Sequence, residues 1–334
     1  MTPTPPAPRR LRMILNTFVS GPQAWFFVAD ERGYFRDAGL AIDFTPGDTA
    51  ANAVPRLADG GFDVAYGDLN TLIELAAGAS APPDAVAVYA TFNASPYTIA
   101  VPAAGPVRAP GDLHGRALGA HPNDAALRLF PEFARAAGIE RAPVGIELSS
   151  LPHPRMLREM LDERRWDGLF GFVNTLRAAA IEAGIDPAAA LRCLEYRHLV
   201  PDLYGAALMV SRRLADTAPA LVRGLVHAVN RGVCDVAADI DAGIDAVARR
   251  DPAIDRAANR ARLAGTLGLE MSHPEGARLG IGAIDDARLE RSIDLIVAAK
   301  GHARRPAAAE IFRADFLPPL AARPTHLARQ PGQW

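Results

Sequence analysis

Side chains able to do covalent or metal chemistry are few in this 334-residue chain. Lys300 is the only lysine, so an amine nucleophile or a Schiff base would have to use it. Cys193 and Cys234 are the only cysteines, too few for a disulfide scaffold or a four-thiolate zinc site. His114 and His121 lack an acidic or cysteine partner at metal-ligand spacing. The sequence therefore predicts no cofactor and no metal, and non-covalent binding is the chemistry that remains.

Polar and aromatic side chains follow the first and third predicted strands. Asn16 and Phe18 come directly after the apolar run that begins at Leu11, and Asp68 follows the run 62–66. Because ligands bind at the carboxyl ends of parallel strands, all three are candidates for ligand contact. Alternatives exist for each: Asp68 fits a helix N-cap, Phe18 fits core packing and Asn16 fits a loop hydrogen bond. The sequence leaves both interpretations open.

Further candidates lie near a helix start and near the points where the chain changes lobe. Trp25 begins a helix just after the Asn16 loop, although core packing is the commoner role of an aromatic residue there. Asn93 and Ser95 lie in the first predicted crossover, and Tyr204 lies in the second. These three fit either ligand contact or a hinge turn with local side-chain caps.

A second group of candidates belongs to the middle of the chain. His121 and Asn123 precede a predicted helix at Asp124, whose backbone N–H groups suit either an anionic group or ordinary capping. After the strand 166–170, Gly171 permits a close backbone approach. The candidates around that glycine are Phe170, Phe172, Asn174 and Thr175.

Strand-like and helix-like segments alternate up to about residue 211, and from Thr217 onward the chain is mostly helical. This alternation predicts an α/β protein with parallel sheets covered on both faces. Because the helical C-terminal part cannot bury itself alone, we expect the chain to cross between lobes twice. The predicted domains are a discontinuous lobe one, 1–100 and 205–334, and lobe two, 101–204, with a ligand cleft between them.

Charge and hydropathy exclude two classes of partner. Lys+Arg is 36 against Asp+Glu 38, so a nucleic-acid partner is not predicted. No apolar run reaches the roughly 18 residues that span a bilayer. The segment Met1–Arg12 is Pro-rich and has no apolar run behind it, so the sequence as given predicts no secretory signal peptide.

Several segments resemble bacterial ABC-transporter solute-binding proteins of the nitrate/sulfonate/taurine type, which share their domain with thiamine-pyrimidine synthases. The likeness follows the order of the family over nearly the whole chain and implies a type II periplasmic-binding-protein fold. The segments that carry it are Ala24–Phe44, Leu57–Gly78, Asp112–Ala120, Ile284–Gly301 and Glu310–Pro319.

The same resemblance separates a binding protein from an enzyme. It implies that the synthases use a pyridoxal-bearing lysine and a histidine after the third strand, and a cysteine run near the second crossover that binds iron. Here 67–71 holds neither lysine nor histidine, and 203–207 holds no cysteine. We therefore predict that the chain is not an enzyme.

The function predicted from these observations is capture of a small organic solute for an ABC importer by hinge closure. Many candidate rings and few charges favour a sulfonate, a pyrimidine-like molecule or an aromatic acid. The resemblance implies a monomer in the periplasm that docks on an inner-membrane permease. A divergent enzyme and a cytoplasmic ligand sensor on the same fold are the alternatives.

Overall fold

The computed structural model describes residues 7–48, 50–325 and 327. The first six residues of the Pro-rich segment 1–12 lie outside this part. Within the described ranges, no helix is both long enough and apolar enough to cross a bilayer.

Two five-stranded sheets organise the chain, each at the centre of one lobe. The first has the strand order β2-β1-β3-β10-β4 and the second β7-β6-β8-β5-β9. The strands are β1 (Arg9–Ile14), β2 (Leu40–Thr45), β3 (Val64–Asp68), β4 (Val86–Ala90), β5 (Tyr97–Pro102), β6 (Ala117–Ala120), β7 (Gly145–Leu148), β8 (Gly168–Phe172), β9 (Leu191–Glu195) and β10 (Ala206–Val210).

Helices cover both sheets, and a short π-helix, Thr266–Glu270, continues one of them. The α-helices are α1 (Ala24–Glu31), α2 (Tyr34–Asp37), α3 (Ala50–Ala58), α4 (Leu69–Gly78), α5 (Ala125–Arg128), α6 (Phe130–Ala136), α7 (His153–Leu161), α8 (Val173–Glu182), α9 (Pro187–Ala190), α10 (Arg212–Thr217), α11 (Pro219–Ala238), α12 (Ile240–Arg250), α13 (Arg256–Gly265), α14 (Glu275–Leu279), α15 (Asp286–Lys300) and α16 (Ala308–Ile311).

This architecture confirms the predicted class of two α/β lobes, but the sheets are mixed. β10 runs antiparallel to β3 and β4, and β5 runs antiparallel to β8 and β9. Both strands enter their sheet from the other lobe, so the crossing chain sets their direction. The prediction of purely parallel sheets was therefore wrong at these two strands, and β9 was not predicted.

The chain passes between the sheets twice, after β4 and after β9. The first passage occupies residues 91–96 and the second residues 196–205. β5, which a boundary at residue 100 divides, lies entirely in the second sheet. The passages place the two lobes side by side.

Buried apolar side chains join the lobes as well as filling them. In lobe one, Phe26 packs edge-on against Tyr66 with ring centroids 5.0 Å apart. A second cluster runs across the lobes: it combines Leu72 and Ile293 of lobe one with Phe133 of lobe two. Burial of this shared surface stabilises the lobes against each other.

Candidate ligand-binding cleft

A cavity of about 240 Å³ lies between the two lobes. Lobe one contributes the loop after β1 and residues of α13 and the π-helix, and lobe two contributes the segments after β6 and β8 and the start of α7. The lining residues are Asn16, Thr17, Phe18, Pro22, Asp48, Phe92, His121, Asp124, Ala125, His153, Gly171, Phe172, Thr175, Arg262 and Glu270.

Arg262 is a buried cation in the cavity wall. Its residue is only 9% exposed, and no hydrogen bond or ion pair to a described residue engages its guanidinium. Burial lowers its pKa, opposed by Glu270 and Glu182, but an arginine side chain stays protonated. A buried charge without a partner is costly, so this guanidinium is suited to an anion in the cavity.

The fold holds Arg262 in place through α13. The Asp255 carboxylate caps this helix by accepting from the Ala258 N–H at 2.9 Å. One turn before Arg262, the Asn259 side chain accepts from the Gly21 N–H at 2.9 Å. These bonds attach α13 to the loop after β1, and they bring the Phe18 ring to 5.7 Å from the guanidinium carbon.

Glu270 is a second buried charge-bearing side chain near Arg262 in the cavity wall. Its carboxyl accepts a 2.7 Å hydrogen bond from Thr266 Oγ1. Burial raises its pKa to about 7, against the opposing effects of the Thr266 hydrogen bond and Arg262. Near neutral pH the group is therefore divided between its acid and carboxylate forms, which lets it donate or accept a hydrogen bond.

Two histidines lie together on the lobe-two side. The rings of His121 and His153 are 4.1 Å apart, and His121 Nε2 lies 2.7 Å from the Leu151 carbonyl oxygen. His153 Nε2 has no hydrogen-bond partner among the described residues. Burial lowers the pKa of His153 to about 3, helped by His121 and Arg262, so His153 is neutral at physiological pH.

The loop after β1 is held by its own side chains. Gln23 Nε2 donates to Asn16 Oδ1 at 2.6 Å and to Thr17 Oγ1 at 3.1 Å. Gln23 Oε1 in turn accepts from the Ser20 N–H at 2.8 Å. The loop so fixed leaves Phe18 60% exposed, which is unusual for a large apolar ring.

Apart from Phe18, two further rings form apolar wall. Phe172, at the end of β8, packs edge-on against Tyr97 with centroids 5.3 Å apart. Phe92, in the first passage, packs against Tyr66 at 6.2 Å. One cationic group, two imidazoles and several rings can hold a small anion that carries an apolar part.

Comparison with known proteins places this architecture in a family. A family model described as NMT1/THI5 like matches residues 23–242, more than half of the chain. The chain belongs to the NMT1/THI5-like family. Among curated proteins, none matches it in sequence.

Solved structures share the fold of this NMT1/THI5-like chain. The alkanesulfonate-binding protein SsuA of Xanthomonas axonopodis pv. citri, bound to MOPS, is 17% identical, with a TM-score of 0.68 over 93% of this chain and 100% of that one. The periplasmic aliphatic sulphonate binding protein SsuA of Escherichia coli is 14% identical, with a TM-score of 0.65 over 91% and 97%. The desulfurization enzyme DszB is 18% identical, with a TM-score of 0.60 over 91% and 97%. The predicted periplasmic-binding-protein fold is confirmed.

The structure brings part of the sequence-predicted set together. The predicted residues that line the cavity of this NMT1/THI5-like chain are Asn16, Phe18, His121, Phe172 and Thr175. Trp25 and Phe170 do not line it, because both rings are buried in the cores of their lobes. For both residues the structure favours core packing, which for Trp25 is the alternative stated from the sequence.

Two predicted polar residues serve as helix caps or turns instead. Asp68 Oδ1 accepts from the Thr71 N–H at 2.9 Å, and its other oxygen accepts from the Tyr97 hydroxyl. Asn123 lies in a turn with φ of 59°, and the next residue, Asp124, caps α5. Neither Asp68 nor Asn123 lines the cavity.

The other predicted residues lie in the passages or between the lobes. Asn93 Oδ1 accepts from the His273 N–H at 3.0 Å, and the Tyr204 hydroxyl donates to Glu275 at 3.1 Å. Ser95 and Asn174 are buried and outside the cavity lining. Asn174 faces Gly265 of α13, across the boundary between the lobes.

Sequence reasoning missed Arg262, Glu270 and His153. Arg262 lies in a stretch that also contains Arg256 and Arg260, and no local pattern distinguishes it from them. Glu270 likewise belongs to a helical segment with no strand before it, where the rule about the carboxyl ends of strands does not apply. His153 begins α7 shortly after β7 ends, so the same rule could have found it. Only the packing of α13 and the π-helix against the cleft identifies Arg262 and Glu270.

Proposed function

We propose that this chain is a receptor for a small organic anion, which it encloses between its two lobes and delivers to an ABC permease. The observation that carries the proposal is the buried Arg262 guanidinium, which lies in the wall of the interlobe cavity and has no hydrogen bond or ion pair to a described residue. An anion there would accept charge-assisted hydrogen bonds from the guanidinium. The structural neighbours that bind sulfonates support this assignment.

The cavity wall narrows the class of solute. Phe92, Phe172 and Phe18 offer apolar and aromatic surface, whereas Thr175 and His121 offer single polar groups. A sulfonate or carboxylate with an aromatic or otherwise apolar body matches this division, and a small inorganic anion leaves the rings without contact. Among the classes expected from the sequence, sulfonates and aromatic acids fit better than a neutral pyrimidine.

Capture by hinge closure follows from the origin of the lining residues. Phe18 and Arg262 belong to lobe one, and His121 and Thr175 belong to lobe two, so a bound solute contacts both. A ligand that makes contacts with both lobes stabilises the closed form over any open one. The permease would then recognise the closed form.

Binding and thermal unfolding of purified protein test the proposal. We expect at least one compound in a panel of alkane- and arenesulfonates and aromatic carboxylates to raise the melting temperature, because ligand at 100 times its Kd stabilises by about 2.7 kcal/mol. Arg262→Gln should weaken binding at least about tenfold, since a hydrogen bond to a charged group contributes about 1.5–3 kcal/mol.

The matched control is Arg260→Gln, two residues away on α13. Arg260 is exposed and pairs with Asp241 at 2.6 Å, so its loss should leave the affinity unchanged. If no compound stabilises the protein, or if Arg262→Gln binds as tightly as the wild type, the proposal is wrong.

Catalysis is the second candidate because the desulfurization enzyme DszB has the same fold. Against it, the cavity lining includes neither Cys193 nor Cys234, and Lys300 contacts Glu74 and the Arg128 carbonyl instead. We propose a non-catalytic role. Incubation with an aryl sulfinate and chromatography of the mixture should return the compound unchanged, whereas steady loss of it would establish an enzyme.

For location and assembly we propose a monomer that acts in the periplasm. Cell fractionation of the native host should recover the protein with periplasmic markers, and light scattering should give the mass of one 35.5 kDa chain. Recovery with cytoplasmic markers would favour the ligand-sensor alternative instead.

A further inference from the structure

A second compartment adjoins the cavity and lies on the α8–α13 side of it. Its volume is about 210 Å³, and it shares Phe18, His121, His153, Thr175 and Arg262 with the first compartment. Beyond these shared residues, the first compartment extends to Phe92 and Glu270, and the second extends to Glu182 and Asn259. The shared residues therefore form a waist between two connected spaces.

An acidic side chain faces the second compartment without a partner. No hydrogen bond or ion pair to a described residue engages the Glu182 carboxylate at the end of α8. Burial and Asp255 raise the pKa of Glu182, whereas Arg262 lowers it, so the two opposite charges influence each other without being paired. Each is free to meet a ligand group of the other sign.

The three acids that line the first compartment are already engaged. Asp48 accepts from the Asn52 side chain at 2.7 Å, Asp124 caps α5, and Glu270 accepts from Thr266. Glu270 is also half protonated near neutral pH. A cationic group therefore finds a better partner in Glu182, on the opposite side of the waist. The first compartment therefore offers rings and acids that are already hydrogen-bonded, the waist offers the Arg262 cation, and the second compartment offers the Glu182 carboxylate.

We infer that the solute is a zwitterion of the α-amino acid type, which has an acid and an ammonium group on one carbon and an apolar side chain. This inference rests on the proposed function and names its ligand class. The acid group lies against Arg262 at the waist, the ammonium group points to Glu182 in the second compartment, and the side chain enters the first compartment. Complementary charges at both groups then set specificity as well as orientation.

Three matched probes test the inference by calorimetry: L-phenylalanine, 3-phenylpropanoate without the amine, and phenethylamine without the acid. We expect L-phenylalanine to bind most tightly, about fivefold tighter than 3-phenylpropanoate, since an ion pair with a partly exposed carboxylate contributes up to about 1 kcal/mol. Phenethylamine should bind most weakly. Raising the salt concentration should reduce the advantage of the amine, because salt screens exposed charges.

Glu182→Gln should bring the affinities of L-phenylalanine and 3-phenylpropanoate to within about twofold of each other, without weakening 3-phenylpropanoate. Glu140→Gln, at an exposed position of lobe two outside both compartments, should keep the wild-type preference. If Glu270→Gln rather than Glu182→Gln removes the preference, the inference is wrong about the position of the amine.

The outcomes separate this inference from the receptor proposal. If 3-phenylpropanoate binds through Arg262 and the amine adds nothing, the receptor proposal holds and the zwitterion inference is overturned. If neither these probes nor the sulfonates and carboxylates of the larger panel bind, both are overturned.

Discussion

Two regions of this molecule bury an arginine, and they treat it in opposite ways. Arg288 of α15 packs against the passages between the lobes, where it is 3% exposed and donates to the carbonyl oxygens of Asn93, Pro201 and Leu203 at 2.7–2.9 Å. It also pairs with the Glu275 carboxylate at 3.0 Å. In the cleft, Arg262 has no such partner among the residues that the structure describes.

The difference predicts a separate role for each arginine. Arg288 donates to the first passage at Asn93 and to the second at Pro201 and Leu203. Its hydrogen bonds therefore hold the two passages together. Removing a buried charge that is hydrogen-bonded internally leaves its partners unpaired and destabilises the fold, whereas a charge without such partners is open to a ligand. The comparison therefore distinguishes an arginine that holds the passages from one in the proposed binding site.

The largest expected effect separates the two arginines by stability. Arg288→Met should lower the free energy of unfolding by about 3–5 kcal/mol, because it leaves the buried Glu275 carboxylate and three carbonyls without their partner. Arg262→Met should cost less than about 1 kcal/mol, since it removes an unpaired buried charge. Urea unfolding of both variants without ligand measures the contrast. Equal losses would show that Arg262 has a structural role.

Substitution of a glycine at the boundary between the lobes tests whether ligand binding requires the lobes to close. A Cβ at Gly265 would lie 2.6 Å from Asn174 Cγ, a contact between α13 of lobe one and α8 of lobe two. Gly265→Ala should therefore weaken ligand binding by about five- to a hundredfold, the equivalent of about 1–3 kcal/mol of overpacking, by hindering the closed form. Calorimetry with the best ligand of the panel measures this loss.

Two variants control for the glycine experiment. Gly111→Ala, where no atom lies within 4 Å of the added carbon, should bind as the wild type does. Adding Asn174→Ala to Gly265→Ala should restore much of the affinity. Failure of that rescue would argue against a steric conflict between the lobes.

The acid in the cleft predicts a pH dependence of affinity. Glu270 has a pKa of about 7 in the free protein, and a bound anion would raise it further, so binding takes up a proton. Affinity for a permanently charged sulfonate should be constant well below pH 7 and fall above it, by up to about tenfold per pH unit. Titrations at pH 6, 7, 8 and 9 measure this slope, and Glu270→Gln should flatten it. A slope kept in that variant would exclude Glu270 as its source.

The smallest effect is expected at Asp68, a predicted ligand contact that the structure places in the hinge region. Its bonds go to Thr71 and Tyr97 rather than into the cavity. Asp68→Asn should therefore change the Kd by less than about twofold, while lowering stability by about 1 kcal/mol through the altered cap. Calorimetry and urea unfolding test both parts. A large loss of affinity with unchanged stability would indicate that Asp68 contacts the ligand.

The extent to which the binding site was predictable depended on its distance from the strands. Asn16, Phe18 and Phe172 lie at or just after strand ends, so the rule about the carboxyl ends of strands found them. The same rule selected Asp68, because a helix cap and a ligand contact occupy the same place in the chain. Trp25 was predicted as a ligand contact but is buried, because its packing partners, and not its place in the chain, decide the burial of its ring.

The sequence by itself determined the elements and the fold class. Apolar runs marked Val86–Ala90 and Ala117–Ala120 at their observed bounds, since burial of a strand depends on a local pattern of side chains. Only the tertiary structure decided the reversed direction of β5 and β10 and the arrival of Arg262 in the cleft. These depend on contacts between residues far apart in the chain: Arg262 meets Phe18 because α13 packs on the loop after β1, and no local pattern encodes that contact.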